Sequence, residues 1–423
     1  MSVAGFVLFL VLLLVILGGI NAQVFRWARN AWGLERRGQR WLKALLVASL
    51  AAMILGRMAG RYWPGPLATG VIAVSSTVQL AVIISAALLL VADAVRFLSR
   101  VPARIRRVVR PAPEKVETAA EPAAALESTP IAPVEVPRRA FLTQAVAGSA
   151  FLIGSSSSLY GALKGRLDYA IEEVPMQLPG LGRGLSGFSI VQLSDVHIGA
   201  FTGAPELAAA EELVRRAKPD LIVLTGDLLD NDSSLAEQLA RFVRRLSPLA
   251  ASGVVAVTGN HDYFAGADEM AHAIRAGGGR ILRNEGLVLG DAQAGFALLG
   301  VDDVWARRRH LGGPDLARAV ASLPSVGGKR AAALDLPRVL LCHNPSYFRE
   351  AAGKVALQLS GHTHGGQINF GVRPADYLLP GGWVAGRYDE QGSALYVNRG
   401  FGTVGPPARL QASPEVTRIV LTA

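Results

Sequence analysis

The hydrophobic positions divide the chain into two regimes. Residues 4–20 run without a charge, close to the roughly 20 apolar residues that a membrane-spanning helix needs. Two further apolar runs follow at 42–55 and 67–91, joined by the short turn 57–65. A cleaved signal peptide would carry basic residues ahead of its apolar run, and none precede the first one. Residues 1–110 are therefore expected to be a membrane domain with three transmembrane helices. Residues 111–137 are rich in Ala, Pro and Glu, show no apolar periodicity, and predict a disordered linker. At 138–165 an Arg138-Arg139 pair precedes a weakly apolar stretch softened by Gly148, Gly154 and Ser155 to Ser158. Three readings stand open there. It is a twin-arginine-like export signal, with export machinery as a partner; a fourth transmembrane helix; or a segment lying on the membrane.

From about Asp168 onward, short apolar strands alternate with amphipathic helices. Strands are expected at 189–193, 221–224, 254–257, 287–289, 297–299, 339–341, 356–359, 394–397 and 416–421. Helices are expected at 205–217, 234–246, 267–276 and near 316–323. Such alternation implies an α/β domain, with buried sheets covered by helices, over 166–423.

Composition changes the picture in two places. The net charge is +10 with a pI near 10.1, which invites a nucleic-acid reading. The basic residues crowd beside the apolar runs instead: Arg26, Arg29, Arg36, Arg37, Arg40 and Lys43 after the first run, then six arginines within 96–110. By the positive-inside rule both segments are cytoplasmic, so no nucleic-acid partner is expected. If 138–165 crosses the membrane, the large domain lies on the extracytoplasmic face. The single cysteine, Cys342, excludes an intramolecular disulfide.

The chemistry sits where strands end. The first strand runs into Asp195-Val196-His197, the second into Gly226-Asp227, and the third into Gly259-Asn260-His261-Asp262. Later strands run into His343-Asn344 and Gly361-His362-Thr363-His364. Oxygen and nitrogen donors mixed in this way suit a borderline divalent metal. Ligands of open α/β sheets gather beyond the carboxyl ends of the strands. Five of the seven histidines fall at such tips; His272 and His310 do not.

These five blocks, in this order, resemble the calcineurin-like metallophosphoesterase family over residues 188–421, and the anchored chain is similar to its membrane-bound bacterial branch. The resemblance implies a four-layer αββα sandwich preceded by transmembrane helices, in the bacterial inner membrane. It implies two divalent ions (Mn, Fe or Zn): one held by Asp195, His197 and His364, the other by Asn260, His343 and His362, with Asp227 bridging. His261 would bind no metal, but would hydrogen-bond the phosphate or protonate the leaving oxygen, oriented by Asp262 unless Asp262 is a cap. The implied reaction is hydrolysis of a phosphoric ester by metal-bound hydroxide. A phosphoester partner is expected, either a lipid-linked pyrophosphate such as UDP-2,3-diacylglucosamine or a phosphodiester, with membrane lipids as neighbours. Two rivals are a non-catalytic membrane scaffold with a relic metal site and a nucleic-acid phosphodiesterase. Asp302-Asp303 reads as a turn, Cys342 as a buried small hydrophobe, and Arg307 to Arg309 as a solvated loop. Arg399 is weighed as a phosphate-steering cation.

Overall fold

A computed structural model of the chain describes residues 3–62, 65–109, 137–291, 294–308, 310–326 and 333–423. The linker expected at 111–137 lies outside these residues except for Pro137. The chain forms two compact units, one comprising Met1–Gly56 with Val74–Leu159, the other Arg57–Ala73 with Tyr160–Ala423.

The first unit is helical. Four helices, α1 (Val3–Trp32), α2 (Arg36–Tyr62), α3 (Pro66–Val109) and α4 (Arg138–Leu163), contain stretches long and apolar enough to cross a membrane. The basic loop expected after the first run is largely helical: α1 continues to Trp32 and only Gly33 to Glu35 separate it from α2. Trp27 is buried and donates through Nε1 to Asp93 Oδ2 (3.1 Å), with Arg96 over its ring. The helices are joined by polar contacts suited to an apolar surround. Asn21 Nδ2 donates to Gln79 Oε1 (3.0 Å), and Gln79 Nε2 to Ser49 Oγ (2.7 Å). On α4, small residues allow close approach to α3: Ser85 Oγ donates to Ala150 O (3.2 Å) and Ser158 Oγ to Thr77 O (2.6 Å).

The second unit holds twelve strands in two six-stranded sheets. These are β1 (Ala170–Gln177), β2 (Ser189–Leu193), β3 (Leu221–Thr225), β4 (Val254–Val257), β5 (Arg280–Ile281), β6 (Glu285–Leu289), β7 (Phe296–Gly300), β8 (Arg338–Leu341), β9 (Leu357–Ser360), β10 (Gly386–Glu390), β11 (Ser393–Val397) and β12 (Glu415–Thr422). One sheet has the order β1-β12-β2-β3-β4-β5, the other β10-β11-β9-β8-β7-β6. Their inner faces meet in a core that includes Ile190, Val223, Val257, Leu298, Leu341 and Leu359. The outer face of the first sheet packs on α5 (Ala204–Ala217), α6 (Ala236–Leu246) and, after the short α7 (Asn260–Ala265), α8 (Ala267–Ala276), through Leu207, Phe242 and Ile274. The outer face of the second sheet packs on Ala319, Leu323 and Tyr347. The result is the expected four-layer αββα sandwich. Strands buried on both faces explain why β2, β3, β4 and β8 are nearly continuous in Val, Ile and Leu.

The expected first strand, β2, is in fact the second. β1 precedes it as an edge strand paired in parallel with β12. Its sequence Ala-Ile-Glu-Glu-Val-Pro-Met-Gln carries two acids and Pro175, which edges tolerate and central strands do not, so no apolar pattern announces it. β10 is likewise an exposed edge, joined to β11 by the tight turn Gln391-Gly392, both at positive φ.

The registers position the site. β2, β3 and β4 are parallel, with Leu193 opposite Leu224 and Thr225 opposite Val257, so Asp195, Asp227 and Asn260 emerge from adjacent tips. β8 and β9 are parallel in the other sheet and release His343 and His362 at theirs. The sheets are pinned together at this end: Gln192 Nε2 donates to Ser360 O (2.9 Å), and His343 Nδ1 lies 2.8 Å from Thr225 O.

Candidate metal centre

The strands stop by bending through left-handed backbone. Asp195 (φ 52°), His197 (49°), Asp227 (52°), His362 (75°) and His364 (51°) all adopt conformations that non-glycine residues rarely visit. Glycine makes room beside them. A Cβ on Gly259 would collide with the Asp227 carboxylate, and one on Gly361 with that of Asp195.

The seven residues expected to bind metal come together as two adjoining clusters. Asp195, His197 and His364 form one, and all are buried. Asp195 Oδ1 lies 3.3 Å from His364 Nε2, which is 3.2 Å from His197 Nε2. Asp227, His343 and His362 form the other, with His343 Nε2 3.2 Å from His362 Nδ1, from Asp227 Oδ2 and from Asn260 Oδ1. Asp227 Oδ2 also faces His197 Nε2 at 3.8 Å. The clusters hold each other in place: His362 N donates to both Asp195 oxygens (3.0 Å), and His197 N to Asp227 O (3.0 Å).

The donor chemistry fits divalent cations. Burial lowers the pKa of His197, His364 and His362, the last to about 4, with Asp227 opposing it at His197 and a neighbouring histidine adding to it at His364 and His362, so these rings are neutral and carry lone pairs. Ring nitrogens 3.2 Å apart can share a proton, one donating to the other, and the same spacing lets both lone pairs face one divalent cation. Among the described residues, His197 Nδ1 is also buried without a hydrogen-bond partner, with Asp230 Oδ1 3.8 Å away. Burial disfavours a charge on His343, but the Asp227 carboxylate outweighs it and raises that pKa well above normal, so the acid calls for a cation at this point. The proton on His343 Nδ1 is committed to Thr225 O, which leaves Nε2 as the ligand atom.

Residues 188–366 match the calcineurin-like phosphoesterase family. An uncharacterized metallophosphoesterase of Aquifex aeolicus is 30% identical over 251 residues, 59% of this chain and 91% of that protein. Another, from Bacillus subtilis, is 33% identical over 246 residues, 56% of this chain and 80% of its own. The chain belongs to the calcineurin-like metallophosphoesterase family. A transmembrane protein with a metallophosphoesterase domain from Danio rerio is 29% identical over 287 residues, 64% of this chain and 62% of that one. As a metallophosphoesterase the protein is a hydrolase of phosphoric esters that works with divalent metal ions.

His261 stands at the rim of this metallophosphoesterase centre. Its ring Nδ1 is 2.9 Å from Asp230 O and 3.3 Å from Asp230 Oδ1, and its ring meets His197 edge-on. Burial opposes its charge, but hydrogen bonding and charge from Asp230, with Asp227, raise its pKa to about 9. Asp230, and not Asp262, is therefore the acid that orients His261. Asp262 is the cap: its carboxylate accepts from the backbone N–H of Asp227 (2.8 Å), Leu228 (2.9 Å), Leu229 (3.1 Å) and Gly259 (2.8 Å). It holds the Asp227 turn against the start of α7.

Sequence reading missed two residues. Asp230 had a signal, standing three positions past Asp227 at a strand tip. Arg409 had none. It is 1% exposed, its guanidinium donates to the carbonyls of Gly402, Gly400, Arg399, Ala412 and His364, and Nη2 lies 3.3 Å from His364 Nδ1.

Other expectations change. Arg399 is not free to steer a phosphate: packed against Gly365, its guanidinium pairs with Glu172 and with Glu415 Oε2 (2.8 Å). Arg307 forms a two-pronged pair with Glu350 (2.7 and 2.9 Å), Arg308 lies over Trp305, and Arg309 is outside the described residues. Asp303 makes the expected turn, accepting from Trp305 N (2.7 Å), while Asp302 binds Arg283 (3.0 Å). Cys342 is buried in the core, and His272 and His310 are exposed.

Proposed function

We propose that the protein is a dinuclear phosphoester hydrolase acting on a membrane-associated substrate. The observation that carries the dinuclear reading is Asp227 Oδ2, which faces His343 Nε2 at 3.2 Å and His197 Nε2 at 3.8 Å, one from each cluster. Asp195, His197 and His364 would hold one ion and Asn260, His343 and His362 the other, with Asp227 shared. When bound, two divalent ions neutralise phosphoryl charge and acidify a water, a role such pairs perform about 3.5–4 Å apart. Asp195 and Asp227 are the only carboxylates in this ligand set, and neutral Asn260 leaves room for an anionic substrate. His261 keeps its proton at neutral pH. With Nδ1 committed to Asp230, it presents Nε2–H to a phosphoryl or leaving-group oxygen.

The same reading assigns residues 1–110 and the helix at 138–165 to four membrane spans, and 166–423 to the catalytic domain on the extracytoplasmic face. One contact supports the fourth span over a cleaved leader or a surface-lying helix: α4 packs into the helical unit through Ala147 and Ala150.

The test is metal content together with hydrolysis of an aryl phosphate ester by the full chain in detergent. Asp227→Asn and His362→Ala should each lower turnover at least a thousandfold and bind less than the two metal equivalents of the unaltered protein. Normal turnover in either variant would refute the site. Mn²⁺-dependent activity that a chelator abolishes separates this enzyme from a scaffold carrying a relic site.

A further inference from the structure

The His197 ring has two polar edges, and only one belongs to the pair of clusters described above. Its Nε2 faces His364 and Asp227. Its Nδ1 is buried, has no hydrogen-bond partner among the described residues, and looks toward Asp230 Oδ1 at 3.8 Å. The same carboxylate oxygen lies 3.3 Å from His261 Nδ1, and Asp230 O is 2.9 Å from that nitrogen. His197, Asp230 and His261 thus bring one donor atom each to within 4.8 Å of one another. They arrive from three places: the tip of β2, the turn after β3 and the first turn of α7.

Two imidazole nitrogens and one carboxylate oxygen form a donor set for a borderline divalent cation such as Zn²⁺. Zinc bonds in a tetrahedral site set neighbouring donor atoms about 3.3–3.6 Å apart, close to the spacings around Asp230 Oδ1. Exposure rises across the group. The His197 side chain is 1% exposed, that of His261 16% and that of Asp230 41%. A cation can therefore enter from the Asp230 side, where water completes its coordination.

We propose that His197 Nδ1, Asp230 Oδ1 and His261 Nδ1 form a further cation site, which takes up Zn²⁺ in excess of the metal pair and inhibits the enzyme. The inhibition rests on the hydrolase reading above; the site and its regulatory effect are new. A cation there displaces the proton that His261 Nδ1 directs at Asp230 and the proton on His197 Nδ1, and both leave to solvent. His261 keeps Nε2–H, but giving it up would leave an imidazolate, so the ring no longer serves as an acid toward the leaving oxygen. His197 would then bridge two cations, one on each nitrogen. Their repulsion and the extra deprotonation make this site weaker than the pair. Mg²⁺ prefers oxygen ligands and should leave it empty.

Equilibrium dialysis of the full chain in detergent against rising free Zn²⁺, with metal content measured at each step, decides it. The unaltered protein should take up one further equivalent, at least tenfold weaker than the tight ones. Hydrolysis of an aryl phosphate ester should fall at least tenfold with the same midpoint, and excess Mg²⁺ should not reproduce the fall. Asp230→Asn and His261→Ala should each lose the weak equivalent and keep the tight ones. A weak equivalent that persists in either variant overturns the site, as does loss of the tight equivalents along with it. Uptake of the weak equivalent with turnover unchanged overturns the inhibitory role. Fewer than two tight equivalents, or no hydrolysis at any zinc concentration, would count against the dinuclear hydrolase reading alone, since the weak equivalent is scored by its loss in the variants.

Discussion

His261 shows how one side chain is tuned by its immediate surroundings. Its Nδ1 side is closed by the carbonyl and carboxylate of Asp230, so its proton is held where a neutral ring would otherwise be favoured by burial. The folded pKa, about 9, lies above the ordinary 6.5. The charged ring therefore stabilises the metal-free fold fully below about pH 6.5, and this contribution is lost as the pH rises through about 9. Asp230→Asn removes the carboxylate, and the His261 midpoint, followed by NMR in metal-free protein, should fall by at least one unit. An unmoved midpoint would assign the shift to Asp227 instead. Five further side chains pay in backbone strain for their placement: the left-handed residues Asp195, His197, Asp227, His362 and His364, at about 1–3 kcal/mol each. The surrounding hydrogen bonds, including four to Asp262, hold those turns.

Among the elements, the loop 399–412 is organised around a single guanidinium. Arg409 has no carboxylate partner in its hydrogen-bond set; it is satisfied by five carbonyls and abuts His364. Burial lowers its pKa to about 10, with Asp195 and Glu415 opposing, so it stays charged at neutral pH. Arg409→Met fills similar volume but leaves buried carbonyls without donors, each costing about 1–3 kcal/mol. The variant should lower the thermal midpoint of the catalytic unit and weaken metal affinity at least tenfold by calorimetry. A stable variant with unchanged affinity would show that the loop is held by its remaining backbone contacts.

For the whole molecule, the arrangement of spans governs which compartment the site faces. On the proposed topology the basic turn between α1 and α2 and the turn between α2 and α3 lie at opposite ends of α2, on opposite sides of the membrane. In a Cys342→Ser background, cysteines at Pro66 and Arg183 should be labelled from the same side of intact cells by an impermeant maleimide. A cysteine at Arg37 should be labelled only after the membrane is opened. Labelling of Arg37 and Arg183 from one side would remove the fourth span.

The amino-acid sequence by itself determined the features that depend on local pattern. Apolar runs marked the helices long and apolar enough to cross a membrane, alternation marked the central strands and helices, and Asp, Asn and His at strand tips beside glycine marked the side chains that gather as candidate metal ligands. These are legible because each is written within a few consecutive residues. Only the tertiary structure decided which acid serves His261, that Asp262 caps the Asp227 turn, that Arg399 is taken up by Glu172 and Glu415, and that Arg409 backs His364. Those pairings join residues far apart in the chain, or differ by a turn of backbone that no periodicity encodes. The edge strands β1 and β10 belong with them, because an edge lacks the two-sided burial that makes a strand apolar, and its partner alone reveals it.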